Sequence, residues 1–170
     1  MGKLSTSDLL RFWELPASYV KAGKHGLRYR NPIEKGIYWY WFSKHIIARD
    51  LRDFGRCISC GGEVQGGDCG HFIPAEKGGN DLLFDERNNN LECPQCNAWD
   101  ELHLLGYARG LDKRYGAGTA DSLLERYRAY REGGVQKTWP RQEYVDRLTD
   151  IRKNGLFGVY LMGGSLREEV

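Results

Sequence analysis

Between Cys57 and Asn97 the chain gathers residue types that bind metal and move protons. Cys57-Ile58-Ser59-Cys60 and Cys93-Pro94-Gln95-Cys96 form two C-x-x-C pairs about thirty residues apart. That pattern is a zinc signal. Four thiolates complete a closed tetrahedral site with no position left for substrate, so a metal held there is structural. Reactivity must come from what the pairs frame. His71 titrates near neutral pH and is the candidate general base. Asn97 directly follows the last cysteine, so a metal-bound knuckle fixes its place. Hard ions such as Mg²⁺ prefer oxygen ligands and keep several waters. The Asn97 carbonyl, Asp68, Asp100 and Glu101 are the oxygens on offer. On a helix starting at Asn97, Asp100 and Glu101 fall three and four residues on and share its face.

These residues need elements to hold them. His71-Phe72-Ile73 reads as a short strand ended by Pro74, and Leu82-Leu83-Phe84 as a second strand or extended segment. Asp85 to Asn90 reads as a polar turn, and Asn97 to Gly106 as a helix. Upstream, Pro32 opens a helix over Ile33–Asp53, with apolar positions Ile37, Tyr40/Trp41, Ile47/Ala48 and Leu51 at helical spacing. Its aromatic run Tyr38 to Phe42 is expected in the core. Lys44, Arg49, Arg52 and Arg56 lie off the stripe. Downstream, helices are expected over 107–115, from Thr119 or Asp121 to Arg131, and over 141–153, with a loose tail from Gly155. A short amphipathic helix is expected at 4–14. The basic, Gly-punctuated stretch 21–30 holds Lys21, Lys24, Arg28 and Arg30 around Tyr29. It reads either as a solvated loop or as a phosphate grip with a stacking aromatic. His45 and His103 are expected to pack or face solvent rather than bind metal.

The fold class expected is α+β, mostly helical: a zinc-stabilised ββα-metal core with flanking helices. The 170 residues divide into a basic aromatic arm (1–56), the knuckle core (57–106) and C-terminal helices with a tail (107–170). The arm carries eleven Lys/Arg against five Asp/Glu, the core two against nine, the C-terminal part twelve against nine. An acidic centre suits a divalent cation, and basic flanks suit a polyanion. No signal peptide or membrane-spanning run is expected, which points to the cytoplasm, there of an infected host cell if the protein is phage-encoded. In that compartment paired cysteines bind metal rather than form disulfides. The fifth, Cys69, is left as a free thiol.

Asp68-x-Gly70-His71-Phe72, Phe84-Asp85-Glu86-x-Asn88 and Cys93-x-x-Cys96-Asn97 together resemble the HNH, or His-Me finger, nucleases. More closely the chain resembles the phage NinG (Rap) recombination nucleases, over roughly two thirds of its length. Phage endonuclease VII looks similar in its knuckles and in the asparagine after the last cysteine. The resemblance implies a metal-dependent endonuclease for branched DNA such as Holliday junctions and D-loops. It implies His71 as base, Asn97 as metal ligand, Asp100 as an assisting group, and a site role for Asn88. Many such enzymes carry an acid or histidine just before the base; here that position is Gly70, and Asp68 is the expected substitute. Cofactors would be structural Zn²⁺ and catalytic Mg²⁺ or Mn²⁺, bound by Asn97, Asp68 and Asp100. Lys21, Lys24, Arg28, Arg30, Lys44 and Arg49 are the expected DNA contacts.

Two rivals stand beside this reading. One is a zinc-stabilised DNA-binding or adaptor module without cleavage, which Gly70 keeps open. The other is a sequence-specific HNH nicking enzyme, which would need a base-reading helix. Basic arms suit recognition of shape. A homodimer would place two active sites on opposed strands of a pseudo-symmetric junction.

Overall fold

The computed structural model describes residues 33–74, 77, 79–133 and 139–154. The elements are α1 (Ile33–Asp53), β1 (Asp68–His71), α2 (Gly79–Leu83), β2 (Asn89–Glu92), α3 (Pro94–Trp99), α4 (His103–Tyr115), α5 (Thr119–Arg131) and α6 (Arg141–Asn154). The described part is mostly helical with one two-stranded antiparallel sheet, β1 against β2. None of its helices is long and apolar enough to cross a membrane. The segments 1–32, 134–138 and 155–170 lie outside the described residues, and with them the expected 4–14 helix, the 21–30 loop and the tail.

Helix α1 has the bounds its sequence pattern predicts. Ile37, Tyr38, Trp41, Phe42, Ile46, Ile47 and Ala48 are buried, at the spacing that puts them on one stripe. Gly55, at φ +58°, takes the left-handed conformation that closes the helix end, and its amide returns to the Asp50 carbonyl at 2.9 Å. The stripe packs with Leu83, Phe84, Tyr144 and Leu148, so α1, the end of α2 with the residue after it, and α6 share one aromatic core. A second core joins Ile58, Phe72, Ile73 and Leu82 to Tyr107, Leu111, Ala120 and Leu123 of α4 and α5. Each core therefore draws on more than one of the three sequence segments.

Four expectations are corrected, the first being the strand at His71–Ile73, which lies instead at Asp68–His71 with Phe72 and Ile73 beyond its end. Leu82 and Leu83 belong to a short helix, α2, and not to a strand; three buried side chains, Asn80, Leu82 and Leu83, turn inward from it. The second strand is Asn89–Glu92, half of which was expected to be turn. It is wholly buried because Asn89 and Asn90 satisfy their amides internally. Asn89 Nδ2 donates to Leu83 O at 2.9 Å, and Asn90 Nδ2 to Arg87 O at 2.8 Å. The single helix expected from Asn97 is two. Helix α3 ends at Trp99, Asp100 is extended at φ −92°, ψ 104°, and α4 starts at His103.

Helix α4 lies directly on the first knuckle. A Cβ on Gly106 would collide with the Ser59 carbonyl, and one on Gly110 with the Ile58 carbonyl. Only glycines four residues apart let a helix approach that loop so closely. Asp50, fully buried, ties the layers together. Its carboxylate accepts from Arg114 Nη1 at 2.6 Å, from Arg49 Nε at 2.8 Å and from the Leu91 amide at 2.7 Å, joining α1, α4 and β2.

Candidate metal centre and active site

The four cysteines converge. Their sulfurs all lie within 4.8 Å of one another, and Cys60 Sγ stands 4.0 Å from Cys93 Sγ. Sulfurs on a tetrahedral zinc stand roughly 3.8 Å apart, so the cluster fits a structural metal such as zinc. The knuckle backbone is closed by Cys57 N to Gly62 O at 2.9 Å and by the Ile58 amide on Leu91 O at 2.9 Å. Cys69 lies outside the cluster; burial pushes its thiol well up, which suits an inert side chain.

His71 ends β1. Its ring stacks on Trp39 of α1, with centroids 4.8 Å apart and planes 24° from parallel. Nε2 is buried and has no hydrogen-bond partner among the described residues. Burial pulls the imidazole down to about 4, so it is neutral at pH 7 and keeps a lone pair. The backbone on either side is clamped. The Tyr107 hydroxyl lies 3.0 Å from Gly70 O and 3.1 Å from Asn88 O, and Phe72 N donates to Asn88 O at 3.0 Å. Asn88 is fully buried. Its Oδ1 accepts from Ile73 N at 2.7 Å, and its Nδ2 donates to Ile73 O at 3.1 Å and Leu82 O at 2.9 Å. Both ends of its amide are thus occupied. Asn88 is a positioning residue for the chain after the histidine and has no atom left for substrate.

The structure brings Asp68 and Asn97 together. Asn97 is exposed at the second knuckle, and its Nδ2 lies 3.3 Å from Asp68 Oδ2. Asp100 does not join them. Because α3 stops at Trp99, Asp100 leaves the Asn97 face, and its Oδ1 accepts the Leu102 amide at 2.9 Å to start the next helix. No hydrogen bond among the described residues links His71 to Asp68 or Asn97. Successive strand side chains point to opposite faces, so Asp68 and Gly70 share one face of β1, and Cys69 and His71 the other.

Of the expected DNA contacts, Lys21, Lys24, Arg28 and Arg30 lie outside the described residues. Lys44 is half-buried, its ammonium 5.8 Å from the Tyr40 ring centroid. Arg49 is turned inward instead. Its guanidinium donates to Asp50, to Glu86 and to Asn89 O at 3.0 Å, which commits its donors to the protein's own acceptors.

Two site residues escape a reading by sequence alone. Trp39 lies in an aromatic run whose neighbours are core, and nothing local marks it as the histidine's partner. Glu92 is fully buried; Ser59 Oγ hydrogen-bonds its Oε1, and His103 Nδ1 stands 3.0 Å from the same atom. Its position next to a cysteine ligand is the one signal that could have found it.

Comparison with known proteins gives the family of this chain. The family model for the Bacteriophage Lambda NinG protein matches residues 27–154. The chain is 28% identical over 119 residues to "Protein ninG" of Salmonella phage P22, a match covering 68% of this chain and 58% of that protein. It is 26% identical over 121 residues to the proteins of the same name from Escherichia phage lambda and Escherichia phage 933W, covering 69% of this chain and 59% and 60% of those proteins. The matches therefore span about three fifths of these relatives. No solved structure matches.

Proposed function

The chain belongs to the NinG family of phage proteins, and from that premise we propose that it is a metal-dependent, structure-specific DNA endonuclease with a ββα-metal core of the His-Me finger type. Its substrate is branched DNA, such as a four-way junction or D-loop, and its role is in recombination. The observation that carries the reading is His71: a neutral, Trp39-stacked imidazole with an unpartnered nitrogen. It stands on a strand paired with the one that leads into the second knuckle.

The chain's own residues divide the work. The His71 imidazole takes the proton from the attacking water. A phosphodiester beside the ring adds negative charge, which raises the imidazole's basicity as the proton arrives. Trp39 holds the ring plane, while Tyr107 and Asn88 hold the backbone around it. Asp68 and Asn97 present oxygens for a divalent ion, Mg²⁺ or Mn²⁺. When bound, such an ion neutralises charge on the phosphate and leaving oxygen. Zinc on the four cysteines fixes Asn97. Trp99, Leu102 and Leu105 are exposed just after Asn97 and offer an apolar face to the unstacked bases of a branch point.

The deciding experiment is cleavage of a labelled four-way junction beside a linear duplex of the same arms, with Mg²⁺ or Mn²⁺, by wild type and His71→Ala. Preferential cutting of the junction by wild type, with a mutant that binds but does not cut, is the expected result. Binding without cutting by both proteins would make the chain a zinc-stabilised DNA-binding module. Cutting that survives His71→Ala would move the active site elsewhere.

A further inference from the structure

The residue just before the candidate base is Gly70, so β1 supplies no acid there. The space is not vacant. A Cβ built on Gly70 would collide with the Glu92 side chain, whose Oε2 lies nearest, followed by Cδ and Cγ. Glu92 comes from β2, where it pairs with Asp68, and its side chain lies diagonally over Gly70. Its two oxygens differ. Oε1 is engaged by Ser59 and His103, while Oε2 is buried and has no partner among the described residues. A buried carboxylate oxygen without a hydrogen bond is costly and calls for a cation or donor. Gly67 yields as well, since a Cβ there would strike the Glu92 carbonyl.

Resting on the nuclease reading above, we infer that Glu92 is a ligand of the divalent ion and delivers across the strand pair the carboxylate that residue 70 lacks. It shares with Asp68 and Asn97 the knuckle side of the sheet.

The test is Mn²⁺ binding to the zinc-loaded full chain, followed by the loss of the free-ion electron paramagnetic resonance signal and by calorimetry, without DNA. Glu92→Gln keeps acceptor and donor atoms for Ser59 and His103 but removes the charge. Zinc content and helical circular dichroism should stay at the wild-type level while Mn²⁺ affinity falls at least tenfold. Wild-type Mn²⁺ affinity in a folded Glu92→Gln protein would overturn the ligand role and leave the nuclease reading standing. A wild-type protein that binds no Mn²⁺ and cuts no junction would overturn both. If Glu92→Gln loses zinc, Gly70→Asp/Glu92→Ala decides, because it moves the acid onto β1 and clears the space. Mn²⁺ bound within about tenfold of wild type supports the inference. No binding, or renewed loss of zinc, assigns Glu92 solely to bracing the first knuckle against α4 and overturns it.

Discussion

The knuckle half of the molecule, from Cys57 to Tyr115 apart from Asn80, Leu83 and Phe84, and the aromatic half, made by α1, α6 and those three residues, are closed by different forces. In the aromatic half Tyr38, Trp41, Phe42, Phe84, Tyr144 and Leu148 bury large apolar surfaces against one another. Tilted and edge-on rings fill it, such as Phe42 on Phe84 with centroids 5.7 Å apart at 87°. Such burial contributes whatever the metal content, at about 25 cal/mol per Å². The knuckle half packs fewer large side chains and is threaded with polar groups: Asn88, Asn89, Asn90 and Glu92 are all fully buried. Each asparagine is held by hydrogen bonds that work only in one geometry, and the cysteines need a metal to define it. A precise polar site is thus bought by dependence on an ion, and the aromatic half serves as the rigid wall behind it.

Metal removal separates the halves most strongly. Structural zinc contributes on the order of 10 kcal/mol in small knuckle domains. Chelation should therefore unfold α3 and the strand pair and release the α4 contact at Gly106 and Gly110. Hydrogen exchange would show protection lost across 57–110 while α1 and α6 stay the better protected. Uniform loss over both halves would mean that they form one cooperative unit. Next comes Asp50→Ala. It leaves Arg114 and the Leu91 amide without their buried acceptor, and removing one partner of a buried ion pair costs about 3–5 kcal/mol. Urea melts of the zinc-loaded protein should show a loss of that size, and a loss under 1 kcal/mol would deny Asp50 its role as the tie between halves.

The sequence made the two halves unequally legible. Helix α1 is plain because apolar side chains at 3.6-residue spacing follow from burial on one face. The four cysteines are plain because thiolate pairs at that spacing have few other uses. Asn89-Asn90 misleads, since consecutive amides signal a turn by composition and become strand only when tertiary partners satisfy them. Leu82-Leu83 misleads similarly, because a short apolar run fits strand or helix alike. At the site, Asp68 beside Asn97 was readable from a residue pattern. Trp39 on His71 and Glu92 over Gly70 were not, because both contacts join residues far apart in sequence through packing that no local period encodes.

A smaller effect is expected wholly within the aromatic half. Asn80 Nδ2 donates to the Tyr144 hydroxyl at 2.7 Å, and both residues are buried. Tyr144→Phe keeps the ring packing but strands the Asn80 donor, which costs about 1–3 kcal/mol. Because this pair lies away from the cysteines, zinc affinity measured by competition with a chelating dye should not change. A weakened zinc site would show that the aromatic wall sets the knuckle geometry.

The smallest effect tests the contact where the halves meet. Burial, to which the Trp39 stack adds, holds His71 neutral, with its pKa lowered from 6.5 to about 4. The unfolded chain therefore binds a proton between those values that the folded chain does not. Stability contributed by the neutral ring is present above pH 6.5 and is lost as pH falls toward 4. Between pH 7 and 5.5 the loss should be about 1 kcal/mol. Zinc release also grows with acid, so the difference between wild type and His71→Gln in parallel melts isolates the imidazole. Wild type should lose its margin over the variant as pH falls, and Trp39→Leu, which opens the ring to water, should shrink that pH dependence. A margin that does not move over this range would place His71 in solvent and remove the stack as the cause of its neutrality.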